Sequence, residues 1–318
     1  MDKGAVPGHQ KKGYIFVISA ALLWAVSGSS AKFLFNSGLS PYELVQLRIT
    51  LAASLLCLWL GVKAPGLLLV SRRDIPYFIV FGVIGMASVQ FTYLFAISKI
   101  NVAAAILLQY LAPVFITLYA IFFQKDTLRH KTVLALVGAV TGCYLVVGAY
   151  NLDLLALNLA GIISGLLSAL GFAWYSIHGE YGMRTYEPWT VLFYALFFAG
   201  LTWNVAHPPF AAFMKNYSAV EWGFIFYIGV MGTLVPFGLY LEGINLIRST
   251  HASITATLEP ISAGIISYLF LGEVMDVLQI AGAILVMGSV ILLQSDSRRD
   301  EKAPDVLRSK KAGKKPVT

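Results

Sequence analysis

The chain alternates long apolar blocks with short polar breaks, and the blocks have the length of a bilayer. Residues 102–123 and 156–179 contain no Asp, Glu, Lys or Arg. About 20 apolar residues at ~1.5 Å rise cross the ~30 Å of hydrocarbon in a membrane. Ten segments fit that pattern, at residues 14–34, 41–62, 76–98, 102–123, 132–150, 156–178, 189–206, 219–242, 250–271 and 277–294. Turn formers and charges mark the breaks, among them Gly38 and Pro41, Lys63 and Pro76, Lys125 and Lys131, Asn151 and Asp153, Arg184 and Pro188, His207 and Pro209. The first block is longer than the apolar core of a cleaved leader, so it is expected to remain as the first span.

The blocks also repeat. Sliding residues 82–126 by 147 positions onto 229–273 pairs Gly82 with Gly229, Gly85 with Gly232, Tyr93 with Tyr240 and Leu94 with Leu241. It also pairs Leu111 with Leu258, Pro113 with Pro260, and the acids Asp126 and Glu273. The same offset carries Pro41 onto Pro188. The prediction is an all-α membrane protein with ten spans in two five-helix halves, residues 14–150 and 151–295. Five is odd, so the second half enters the membrane from the opposite side, and each half can adopt the shape of the other. That is the arrangement of transporters that expose one site alternately to each face.

Composition supports the membrane reading and charge orients it. Only 12% of residues are charged, against 58% hydrophobic; a soluble domain carries about 25% charged residues. With the N-terminus in the cytoplasm, alternation of the spans places 19 of the 23 Lys and Arg on the cytoplasmic side, as the positive-inside rule requires. Both termini are therefore expected in the cytoplasm: a short tail over residues 1–13, and a basic tail over 296–318 with too few apolar residues to fold. The basic tails suit an anionic membrane face rather than nucleic acid. Cys57 and Cys143, both inside apolar blocks, read as packing residues.

Several motifs then fall in a recognisable order. They are Leu22-Leu23-Trp24-Ala25-Val26-Ser27-Gly28 in the first span, the segment from Pro41 to Arg48, and the paired Leu111-Ala112-Pro113 and Leu258-Glu259-Pro260. Leu271-Gly272-Glu273 followed by Gly282-Ala283 completes them. In this the chain resembles the EamA-type family of the drug/metabolite transporter superfamily, over about residues 14–294. The resemblance implies a secondary transporter of the cytoplasmic membrane. It implies export of amino acids or related small metabolites, with a central cavity between the first, third, fourth, sixth, eighth and ninth spans. The first half departs from the pattern with Gln124-Lys125-Asp126. The first span also lacks the acid that couples transport in the four-helix multidrug relatives, which argues against cation efflux by that route.

Polar and aromatic residues deep in the spans are the candidates for chemistry, because a charge in hydrocarbon costs about 2.5–3.5 kcal/mol on insertion scales. Glu259 lies near mid-span, followed by the helix-weakening Pro260. It reads as a proton or substrate-amine site, or as a structural acid. Gln109 and Tyr110, one turn before Pro113, sit at matching depth in the fourth span. Trp24, Trp174 and the symmetry pair Tyr93 and Tyr240 are candidate cavity walls. Arg48 reads as a structural charge, with anion binding as the alternative. Gly138-x-x-x-Gly142 and Gly161-x-x-x-Gly165 allow close helix approach, within the chain or in a homodimer.

Nucleotide, metalloprotease and serine-hydrolase motifs are absent from the sequence, so no cofactor, metal or catalytic residue is expected. The expected partners are a small-molecule substrate and the lipid bilayer. Two alternatives stay open. One is an uptake permease on the same fold. The other is a membrane enzyme or assembly factor built on His178, Glu180, Glu242 and His251.

Overall fold

Pro41 and Pro188, paired by the repeat, each open a helix, where a missing N–H is no loss. In the computed structural model, which describes residues 7–124, 130–146, 152–256, 258–295 and 303–311, these are α2 (Pro41–Lys63) and α9 (Pro188–Ala206). Ser40 caps α2 reciprocally with Glu43, the backbone N–H of Ser40 donating to Glu43 Oε2 at 3.0 Å. No strand occurs among the described residues.

The other helices are α1 (Pro7–Asn36), α3 (Ile75–Val80), α4 (Ser88–Lys99), α5 (Val102–Gln109), α6 (Ala112–Gln124), α7 (His130–Val146) and α8 (Leu152–Met183). In the second half come α10 (Ala219–Gly229), α11 (Val235–Thr255), α12 (Leu258–Leu271) and α13 (Val277–Ser295). Among the described residues, seven segments are long and apolar enough to cross a membrane, and three shorter apolar helices cover Val102–Ile116, Val133–Gly142 and Val277–Ser289. Large apolar side chains point outward on many of them, including Leu58, Val62, Val140, Leu167, Phe270 and Ile284. Such a surface is compatible with lipid rather than water.

The helix breaks repeat as the sequence does. A π-helical segment, Phe81–Ala87, joins α3 to α4, and a second, Val230–Leu234, joins α10 to α11. With the 147-residue offset the two overlap. Pro113 and Pro260 each stand just inside a helix that begins anew, so the fourth and ninth segments are broken near their middles. A proline lacks the N–H for the carbonyl four residues back and its ring clashes there. Gln109 is accordingly the last residue of α5. In the ninth segment the chain is helical over Ser249–Thr255 after a kink at Arg248 (φ 67°, ψ 163°). Arg248 is the repeat mate of Asn101, which precedes α5. The helix preceding this kink runs past residue 242, where the sequence pattern places the end of the eighth span.

Glycine contacts tie the halves. At Gly82 an added Cβ would stand 3.0 Å from Ala195 O on α9. At Gly142 it would stand 2.8 Å from Gly282 O and 2.9 Å from Val286 N of α13. Gly138 and Gly142 thus serve packing of α7 on α13 within one chain. Gly142→Ala should lower stability by about 1–3 kcal/mol through overpacking against rigid backbone. The check is a lower thermal midpoint in detergent; an unchanged midpoint means that α7 and α13 can separate there at no cost.

Two expectations are corrected. Cys57 is exposed on α2 and is not a packing residue, because it faces away from the core-facing Leu56 and Leu60. Residues 304–311 of the C-terminal tail form a further helix, α14 (Pro304–Lys311). Arg308 anchors it, donating from Nη1 to Met183 O (2.7 Å) and Tyr186 O (3.0 Å) and from Nη2 to Glu187 (3.0 Å). The guanidinium fork thereby satisfies one carbonyl at the end of α8 and one in the connection that follows. Residues 7–13, expected as tail, belong to α1, while Lys125, Asp126, Asn151, the Cys143 side chain, residues 1–6, 296–302 and 312–318 lie outside the described residues.

Candidate functional site

The two broken helices bring Gln109, Tyr110 and Glu259 to one small central cavity, also lined by Trp24, Arg48 and Tyr93. Its volume is about 20 Å³, room for roughly one water. The conformation is closed around the site. Glu259 is 3% exposed. Its Oε2 accepts the Tyr110 hydroxyl at 2.9 Å and its Oε1 the Tyr93 hydroxyl at 3.5 Å. The carboxylate stands in the first turn of α12, where the exposed N–H dipoles favour negative charge.

Arg48 reaches the cavity from the second span, which the sequence reading did not include. It is 2% exposed. Its Nη2 donates to Gly232 O at 2.8 Å and its Nε to Thr233 Oγ1 at 2.7 Å, both in the second π segment. The reason lies four residues on: Pro236 has no N–H to give the Gly232 carbonyl, and Arg48 supplies the missing donor. These two bonds tie α2 to the second half. The third arm, Nη1, has no partner among the described residues.

Aromatic side chains form the walls. Trp24 packs edge-on to Phe237 (4.9 Å between centroids) and Phe172 (6.2 Å). Its Nε1 is buried without a partner among the described residues. Tyr240 stands behind the wall, 5.3 Å from Trp24, with its hydroxyl 3.2 Å from Ser176 Oγ. Gln90, Phe172 and Phe237 line the cavity without having been singled out from sequence. Gln90 and Phe237 are repeat mates, and each precedes Tyr93 or Tyr240 by three residues, one turn on the same face. That spacing is a signal for both; Phe172 has none.

Trp174 does not reach the cavity. It stacks on His178 at 3.9 Å and faces Phe81 at 6.1 Å. At ~100° per residue, positions 172 and 174 lie on nearly opposite faces of α8. Pro113 acts through the helix break. Pro260 lines a separate, larger apolar groove of about 610 Å³ between α5, α12 and α13. Of the polar cluster His178, Glu180, Glu242 and His251, His178 is occupied by the Trp174 carbonyl at 3.0 Å.

Glutamates hold the N-terminal ends of both half-helices. Glu273 Oε2 accepts the Val102 N–H at 2.9 Å, and its Oε1 is 3.7 Å from Lys32 Nζ. Lys32 also donates to Ile97 O and Ile100 O. Glu180 Oε2 accepts the Ser249 N–H at 3.1 Å, and its Oε1 accepts Arg248 Nε at 3.2 Å. Val102 and Ser249 are repeat mates. Each half-helix therefore begins on a distant carboxylate, Glu273 from the connection after α12 and Glu180 from α8, itself paired with a cation.

A profile of the EamA-like transporter family matches residues 11–148 and 159–295. An uncharacterized inner membrane transporter, YicL, of Salmonella typhimurium is 31% identical over 302 residues, 93% of this chain and 99% of its own. The pseudopaline exporter CntI of Pseudomonas aeruginosa strain UCBPP-PA14 is 27% identical over 290 residues, covering 89% of this chain and 96% of its own. A solved crystal structure with 18% identity superposes with a TM-score of 0.63 over 92% of this chain, which supports the fold alone. With two matching repeats, apolar membrane-length helices and relatives that are transporters along nearly their whole length, the chain belongs to the EamA-like transporter family.

Proposed function

We propose that this chain is a secondary transporter of the cytoplasmic membrane that exports amino acids or related small metabolites by alternating access. In this reading ten spans form two inverted halves with both termini in the cytoplasm. The observation that carries it is the closed central cavity where the two broken helices meet, holding a carboxylate and a guanidinium away from water. Charges at such depth serve a substrate or proton path in membrane proteins. Export is the direction named for the CntI relative.

Glu259 is the coupling group in this account. A substrate ammonium and a proton compete for the same carboxylate, so one leaves as the other enters. The Glu273–Val102 and Glu180–Ser249 contacts are the outer and cytoplasmic gates, and each open state breaks one of them. Everted membrane vesicles from cells overproducing the chain test the direction. Energised vesicles should accumulate a labelled amino acid above vesicles lacking the protein, and should lose it when the pH gradient is collapsed. Accumulation only in right-side-out vesicles would make the chain an uptake permease.

A further inference from the structure

The coupling role given to Glu259 leaves two buried donors of the same cavity unexplained. Arg48 Nη1 and Trp24 Nε1 are enclosed, belong to residues that line the cavity, and have no acceptor among the described residues. We propose that they form the subsite that takes the carboxylate of the substrate, a proposal that rests on the transport reading above.

Chemistry selects the ligand. Guanidinium and indole N–H groups only donate, so the group between them must accept. The positive charge of Arg48 selects an anionic oxygen. Glu259 does not fill that place: its bonds run to Tyr110 and Tyr93, and neither Arg48 Nη1 nor Trp24 Nε1 donates to it. The guanidinium is also held in place: Nε and Nη2 are fixed to Thr233 and Gly232. Binding at Nη1 therefore needs little ordering of the side chain. The remaining charge in the cavity is the Glu259 carboxylate, which repels a second anionic group and attracts an amine. The cavity thus fits a solute with one carboxylate and one ammonium close together, and disfavours dianions and carboxylate-free cations. At about 20 Å³ it admits that solute only when a gate opens.

The test compares L-amino acids with their α-amides as competitors of labelled L-amino acid counterflow in proteoliposomes. In the wild type the amide should compete roughly 10- to 100-fold more weakly than the acid, the value of a hydrogen bond to a charged group. Trp24→Phe, which keeps a ring and removes the N–H, should narrow that gap several-fold. Arg48→Gln, which removes the charge and keeps a donor for the Gly232 carbonyl, should close it, acid and amide competing alike. Amides equal to acids in the wild type would overturn the subsite, and that arm needs no variant to fold. A gap of wild-type size in Arg48→Gln or in Trp24→Phe would overturn it as well. Transport of organic cations but no amino acid would sink the subsite and the amino-acid class while leaving alternating-access transport standing. No movement of any solute would remove both.

Discussion

Glu259→Gln should still catalyse exchange but no longer respond to a pH gradient. Gradient-driven flux should fall to background, a loss on the order of 100-fold or more, as expected when the ionisable group of an intramembrane proton path is removed. Counterflow, which needs no net proton movement, should survive within roughly 10-fold, because a glutamine carbonyl still accepts a hydrogen bond from an ammonium but without the charge. The local structure supports a clean substitution: glutamine can keep an acceptor for Tyr110, which donates to Glu259 at 2.9 Å. The measurement is labelled-solute flux in proteoliposomes with and without an imposed pH gradient. A retained response to the gradient would move the coupling site elsewhere and leave Glu259 a packing acid.

Substitutions at the two gates should push the protein in opposite directions. Glu273→Gln weakens the contact from Glu273 to Val102 and Lys32; Glu180→Gln weakens that from Glu180 to Ser249 and Arg248. Each change removes a charged partner worth about 1.5–3 kcal/mol, enough to shift a two-state population by roughly 10- to 100-fold. A cysteine at Gln109, in a background lacking Cys57 and Cys143, reports which face the cavity meets. Glu273→Gln should speed its labelling by a membrane-impermeant thiol reagent from outside, and Glu180→Gln from the cytoplasm. Equal effects on one face, or none on either, would leave the two carboxylates as helix caps without a gating role.

Much of this architecture is legible in the sequence because the membrane makes polar residues conspicuous. Glu259, Gln109 and Trp24 stand out in apolar blocks, and the structure brings all three to one cavity. The breaks at Pro113 and Pro260 follow from proline chemistry alone. What stays hidden depends on distant partners. Arg48 looks isolated until Gly232 and Thr233 arrive from the other half, although Pro236 already marks the carbonyl that needs it. Phe172 is one apolar residue among many on α8, and only packing selects it over Trp174. The tail helix α14 is too polar to predict as ordered, and Arg308 orders it through carbonyls more than 100 positions away.

The central claim is that this closed cavity carries a solute across the membrane. Counterflow by purified protein in proteoliposomes tests it most directly, with a panel of unlabelled amino acids inside and a trace of each labelled one outside. The account predicts transient accumulation of at least one amino acid above its equilibrium level. Absence of any such overshoot relative to protein-free liposomes, with the chain folded and inserted, would contradict it.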